Sequence, residues 1–193
     1  MEENNIIRPE QGGFRKGSRT SDHLFTLQTL IEKYINNEEY LYACFVDLRK
    51  AYDSVWRERL LYKLNKIGLG NKMINVIASM YDETHTSIIY KDRILPKIST
   101  NKGVKQGDNL SPPIFNIYIN DLPEAIEEGQ TSPVQLMDKK INSLMWADDV
   151  ILLSKTKEGL QNCMKNLNNF CVKWKLEINL KKTKIIIFNK KGS

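Results

Sequence analysis

The 193-residue chain carries 29 lysines and arginines against 23 aspartates and glutamates, a formal charge of +6, with 41% hydrophobic and 27% charged residues. These values fit one domain with a packed core, or at most two small ones, exclude a disordered chain, and favour a polyanionic partner. Cys44, Cys163 and Cys171 show no C-x-x-C spacing, and His23 and His85 form no H-E-x-x-H, which removes disulfide frameworks, zinc knuckles and zinc hydrolases. No apolar run approaches the ~18 residues of a membrane span. The opening stretch MEENNIIRPEQ lacks a secretion leader, so a soluble, intracellular, reducing setting is expected.

From Thr20 or Ser21, either a suitable N-cap, Leu24, Leu27, Ile31 and Tyr34 recur at helical spacing and predict an amphipathic helix over 21–36. EYLYACFVD is a continuous apolar run that ends in a carboxylate, which places Asp47 at the C-terminal end of a buried strand. Val55, Leu60, Leu61, Leu64 and Ile67 mark a helix closed near Gly68 or Gly70, and NKMINVIASMY another short one. TSIIY and ILPKIST flank KDR as a hairpin would. Ser111 followed by Pro112 opens a helix expected to reach Glu127, because proline suits a first turn where its missing N–H is not needed. Residues 128–143 are aperiodic and read as a loop with a short strand.

Beyond them, LMWADDVILLS reads as a β-hairpin with Asp148 and Asp149 in its turn. Leu160, Met164, Leu167, Cys171 and Trp174 then give a long amphipathic helix, and TKIIIFN a last strand. The order predicts one α+β domain, an antiparallel sheet with helices packed on one face.

An acidic turn flanked by apolar strands is by itself unremarkable as a solvated bend. Asp47 ends another apolar strand, however, so the fold can gather three carboxylates at one sheet edge. Like charges that close raise one another's pKa, and a cluster persists at low cost when cations neutralise it. Oxygen ligands without histidine or cysteine select a hard ion such as Mg²⁺. Two such ions roughly 3.5–4 Å apart can clamp the attacking and leaving oxygens of a phosphoryl transfer.

GGFRKGSRTSDHLFTLQTLIEKY, CFVDLRKAYDSVWRERLLYKL, NKGVKQGDNLSPPIFNIYINDL, LMWADDVILLS and LEINLKKTKIIIF follow one another in this chain. Their content and order resemble the palm of a reverse transcriptase, most closely that of non-LTR (LINE-type) retrotransposons. The resemblance implies a polymerase palm over 39–193 and a C-terminal remnant of the fingers over 1–38, together one reverse transcriptase domain fragment with the thumb absent. It implies an RNA-directed DNA polymerase that adds dNTPs to a DNA primer on an RNA template, with two Mg²⁺ ions, Mn²⁺ being the alternative. Missing fingers and thumb segments would belong to a longer polyprotein, and a LINE-type element would act in the nucleus.

By the same resemblance, Asp47 and Asp148 are metal-binding aspartates, and Asp149 contributes to the metal or to the local field. Tyr52 falls where an aromatic blocks a ribose 2′-hydroxyl, and also suits a core position. Gln106 and Gly107 match residues beside the nascent base pair. Lys182 matches a lysine considered as general acid for the pyrophosphate leaving group, with Lys181 and Lys184 as competing matches. Arg15 and Lys16 fall where the fingers approach template or incoming nucleotide. Ser18-Arg19 in place of Arg-Ser, Asn109 in place of proline and Pro113 in place of leucine depart from the family pattern. Two other readings remain at this stage, a truncated non-catalytic nucleic-acid-binding relic and a group II intron-type reverse transcriptase.

Overall fold

Alternation along strand β1 (Leu41–Asp47) sets the architecture, because successive side chains of a strand face opposite sides. Leu41, Ala43 and Phe45 join one apolar cluster, and Tyr42, Cys44 and Val46 join another. β1 lies between β10 (Lys184–Phe188) and β9 (Asp149–Ser154), and β9 in turn pairs with β8 (Ser143–Trp146). All three pairings are antiparallel. The computed structural model describes residues 6–190; residues 1–5 and 191–193, which the sequence reading assigned to the fingers remnant and the end of the palm, lie outside the described residues.

One sheet face carries α2 (Ala51–Ser54), α3 (Arg57–Lys66), α4 (Asn71–Tyr81), α5 (Ser111–Tyr118), α6 (Leu122–Ile126) and α7 (Lys157–Trp174). Cys44, Val46, Met145, Val150 and Leu152 from the strands meet Leu60, Leu64, Phe115, Leu167 and Phe170 from these helices. The opposite face receives α1 (Thr20–Asn36), whose Leu27, Leu30 and Tyr34 cover Leu41, Ala43, Leu144 and Leu153. The helices that follow β1 thus pack on one face as expected, and α1, within the residues that the resemblance would assign to the fingers, lies on the other. Burial of each such large apolar side chain stabilises the fold by roughly 1.5–3 kcal/mol.

The free edge of β8 is covered by residues 10–12. Met145 N donates to Glu10 O at 2.8 Å, and Gly12 N donates to Met145 O at 2.9 Å. An uncovered edge would present unpaired backbone groups to other chains.

The hairpin expected around KDR, over 86–100, is present as two short ladders, β2 (His85–Thr86) with β5 (Ile98–Ser99) and β3 (Ile89–Tyr90) with β4 (Arg93–Ile94). Lys91 and Asp92 both have positive φ, as a two-residue turn with the hairpin's twist requires. Three local expectations need correction. The helix expected from Val55 begins two residues later, as α3, with the separate short α2 ahead of it, and α3 ends in a Schellman pair, Gly68 N to Asn65 O and Leu69 N to Leu64 O. The helix expected over 111–127 is also split, into α5 and α6. Pro123 has no N–H to continue the ladder and sits instead in the first turn of α6. Residues 128–143 hold a second hairpin, β6 (Val134–Leu136) with β7 (Lys139–Ile141), rather than one short strand. Three-residue strands are too brief for a readable alternation.

Candidate active site

The β1–β9 register places Asp47 directly opposite Asp149. Residues paired in this way share a sheet face, with Cβ atoms about 4.5–5.5 Å apart. The two-residue turn between β8 and β9 is Ala147–Asp148; Asp149, expected in the turn, is instead the first residue of β9, and Ala147 holds φ +56°. A non-glycine residue there costs about 1–2 kcal/mol, so the surrounding structure must hold it. Burial pushes the Asp148 carboxyl above the ordinary carboxylate range; Asp149 and Asp47 push the same way, and a backbone hydrogen bond partly opposes them. The three aspartates of the sequence reading therefore sit within electrostatic reach of one another.

They are not drawn together as ligands: among the described residues no three His, Cys, Asp or Glu side chains converge to hold an ion. Asp47 is directed elsewhere, its Oδ2 accepting from Asn179 Nδ2 at 2.9 Å and its Oδ1 lying 3.6 Å from Lys182 Nζ. The donor set, carboxylate oxygens whose charges oppose one another, fits a hard divalent cation.

Beside the turn opens a cleft of about 730 Å³ lined by Tyr52, Gln106, Gly107, Asp108, Trp146, Ala147, Asp148 and Asp149, with Phe14 at its rim. That volume lies within the range of small-molecule sites. Tyr52 stacks on Phe115 with ring centroids 4.6 Å apart, so it serves the core and the cleft together. Burial, then the nearby Asp148 charge, pushes its hydroxyl pKa up to about 12.

The loop before α5 is tied to the Tyr52 segment, with Gly103 N donating to Val55 O at 2.8 Å and Val104 N to Tyr52 O at 2.9 Å. A Cβ at Gly103 would lie 2.9 Å from the Asp53 backbone. Gly107 holds φ +91° with open space beside it, leaving its backbone exposed to the cleft. Arg57 anchors this loop from behind, donating to Gly103 O, Thr100 O, Lys102 O, Tyr81 O and Thr84 Oγ1. Asp108 Oδ1 accepts from Ser111 N at 2.6 Å and holds the start of α5.

Of the lysines in LKKTK, Lys182 is the one that pairs with the acidic cluster. Its segment is threaded along Asp47, with Asn179 N donating to Asp47 O at 2.8 Å and Asp47 N to Thr183 Oγ1 at 3.3 Å. Arg15 lies outside the set that lines the cleft. Its Nη1 donates to Arg8 O at 3.1 Å and Gln11 O at 3.2 Å, so part of its guanidinium supports the strap along β8. Lys16 is exposed and likewise outside that set. Sequence reasoning missed Gln11, Phe14, Arg57, Trp146 and Asn179. Glutamine and asparagine carry no periodic or charge signal, and their partners lie far along the chain.

Comparison with known proteins bears on the family and the fold. The family model described as Reverse transcriptase (RNA-dependent DNA polymerase) matches residues 1–191. The chain is 27% identical over 190 residues to a probable RNA-directed DNA polymerase from transposon BS of Drosophila melanogaster, covering 95% of this chain and 20% of that protein. It is 36% identical over 119 residues to a retrovirus-related Pol polyprotein from the type-1 retrotransposable element R2 of Popillia japonica, covering 62% and 20%. It thus spans about a fifth of the length of the curated relatives it matches. An apo telomerase from Candida tropicalis, truncated from the C-terminal domain, superposes with a TM-score of 0.67 at 18% identity, over 94% of this chain and 37% of that one, which extends the likeness to the fold. With the motifs in order, the palm-type sheet in place and the family model spanning nearly every residue, the chain belongs to the reverse transcriptase (RNA-dependent DNA polymerase) family.

Proposed function

We propose that this chain is the catalytic palm of an RNA-directed DNA polymerase of a non-LTR retrotransposon, joining dNTPs to a primer 3′-hydroxyl. The carrying observation is the meeting of Asp47 and Asp149 across β1 and β9, with Asp148 in the adjoining turn at the wall of a nucleotide-sized cleft. Asp47, Asp148 and Asp149 would hold Mg²⁺, two ions by family resemblance with Mn²⁺ as a substitute. A divalent cation held there would supply a lower pKa for the attacking hydroxyl and neutralisation of charge on the triphosphate.

The chain's own groups do the rest. Tyr52, stacked on Phe115 and unable to swing away cheaply, stands where it excludes a 2′-hydroxyl and selects deoxynucleotides. Gln106 and the exposed backbone of Gly107 border the base being added. Lys182, whose Nζ lies 3.6 Å from Asp47 Oδ1, would deliver a proton toward the leaving pyrophosphate. Arg15 and Lys16 approach template or nucleotide from the fingers side, with residues 1–38 as a fingers remnant and 39–193 as palm. The partners are then an RNA template, a DNA primer and dNTPs, and the place of action is the nucleus. No helix among the described residues is long and apolar enough to cross a membrane.

Primer extension by the 193-residue chain on an RNA template with dNTPs and Mg²⁺ tests the reading, with Asp148→Ala and Tyr52→Ala alongside. Extension by the parent, none by Asp148→Ala, and relaxed rejection of ribonucleotides by Tyr52→Ala are expected. Binding of primer–template without extension by a well-folded parent would favour the non-catalytic relic. Equal extension by Asp148→Ala would remove the assigned chemistry.

A further inference from the structure

Gln11 is buried, 2% exposed, and its amide turns both ends toward one residue. Its Nε2 donates to Ala147 O at 3.0 Å, and its Oε1 accepts from Ala147 N at 2.8 Å and from Gly13 N at 2.8 Å. Ala147 is the turn residue in the left-handed region, immediately before Asp148. One planar amide therefore satisfies both backbone groups of a strained residue.

The strap that carries Gln11 is itself held from several sides. Asn116 Nδ2 on α5 donates to Gly13 O at 2.7 Å, Arg15 Nη1 donates to Gln11 O, and the 10–12 backbone pairs with Met145. The clamp is thus anchored on the sheet edge and on the helix that borders the cleft.

We propose that Gln11 is the positioning residue of the acidic turn: by fixing Ala147 it sets where the Asp148 carboxyl stands relative to Asp47 and Asp149. The proposal rests on the polymerase reading of that site. The side chain must offer a donor and an acceptor next to each other without charge. A carboxylate lacks the donor and adds a fourth negative charge, and an apolar side chain offers neither. Gln11 touches none of the reacting groups and acts only through the turn.

The test compares the full chain with Gln11→Met, Gln11→Glu and, as a control on the neighbouring strand β8, Ser143→Ala, whose buried hydroxyl has no hydrogen-bond partner. Two readouts are taken, kcat and dNTP KM in primer extension, and hydrogen exchange of the Ala147 amide. Gln11→Met matches the side chain in size and removes every hydrogen bond. It should lower kcat by about tenfold or more with KM near the parent's, because small displacements of a catalytic group are costly. The Ala147 amide should exchange about tenfold faster while the Leu152 amide stays protected. Gln11→Glu still accepts from the Ala147 and Gly13 amides in either protonation state and should fall between parent and Gln11→Met on both readouts.

A side chain that merely filled space would give the opposite order, with Gln11→Met near the parent and Gln11→Glu worst. That order, or unchanged Ala147 exchange in Gln11→Met, overturns the proposal. If Gln11→Met does not fold, Gln11→Glu carries the test, and parent-like values for both its readouts overturn it. If the parent does not extend primers, the polymerase reading falls, and Ala147 exchange still decides whether Gln11 holds the turn.

Discussion

Gly13→Ala adds one methyl group at the closest approach in the site. Its Cβ would lie 2.3 Å from Ala147 N and 3.0 Å from Gln11 Oε1, whereas real Cβ atoms essentially never come within 3.0 Å. Strap and turn must therefore part by about 0.7 Å, the difference between 3.0 and 2.3 Å. Taken up along the 2.8 Å bond from Ala147 N to Gln11 Oε1, this stretches it beyond hydrogen-bonding range, with the 2.8 Å bond from Gly13 N also at risk. Overpacking of this kind costs about 1–3 kcal/mol. A 1 Å misplacement of a catalytic group costs on the order of 10²-fold in rate, so a loss of at least about tenfold is expected here. Urea unfolding and primer extension on the same preparation measure both effects. Gly70→Ala is the matched control, since a Cβ there meets nothing within 4 Å. If Gly13→Ala shifts stability by less than about 0.5 kcal/mol, the range of a neutral surface change, and keeps parental activity, the strap does not hold the turn.

Three further predictions concern charge and loop anchoring. The Asp148 carboxyl is pushed up in the folded state, by burial first and then by Asp149 and Asp47, so the stability linked to its proton is lost as pH rises through the folded pKa. In metal-free buffer Asp148→Asn should raise the thermal midpoint at pH 7, and the gain should close as acid protonates the parent; no gain at pH 7 would contradict the repulsion. Lys63 is buried against the Trp174 ring and pairs with Asp121, and desolvation brings its pKa down to about 8. The unfolded chain then binds more protons between pH 8 and 10.5, so stability should rise across that window by up to about 1.4 kcal/mol per pH unit, read as urea midpoints. Lys63→Met should flatten the rise, and an equal rise in the variant would exclude Lys63 as its source. Arg57→Lys keeps the charge but cannot reach five acceptors, so it should destabilise by about 1–3 kcal/mol and raise dNTP KM more than it lowers kcat. Faster trypsin cleavage at Lys102 or Lys105 would report the loosened loop, and unchanged cleavage would show the loop anchored elsewhere.

Signals that live within a few residues were legible in the chain. The apolar run ending at Asp47, the A-D-D turn, the Ser111-Pro112 helix start and the long amphipathic α7 all follow from local periodicity and cap chemistry. The family resemblance added the order of the motifs, and with it Tyr52, Gln106 and Gly107, which the fold brings to one cleft. The break at Pro123 was written in the sequence but outweighed by the apolar pattern around it.

Composition and periodicity were enough to define an α+β domain and to single out three acidic residues, because burial patterns and turn chemistry act over one strand or one helical turn; the palm assignment came from the family resemblance. Only the tertiary structure decided that Asp47 faces Asp149, that Lys182 rather than Lys181 or Lys184 pairs with the cluster, and that part of Arg15 serves the strap. It also decided that Gln11 clamps Ala147, 136 positions away. Such pairings depend on strand register and on the packing of distant segments, and a local window of sequence carries neither.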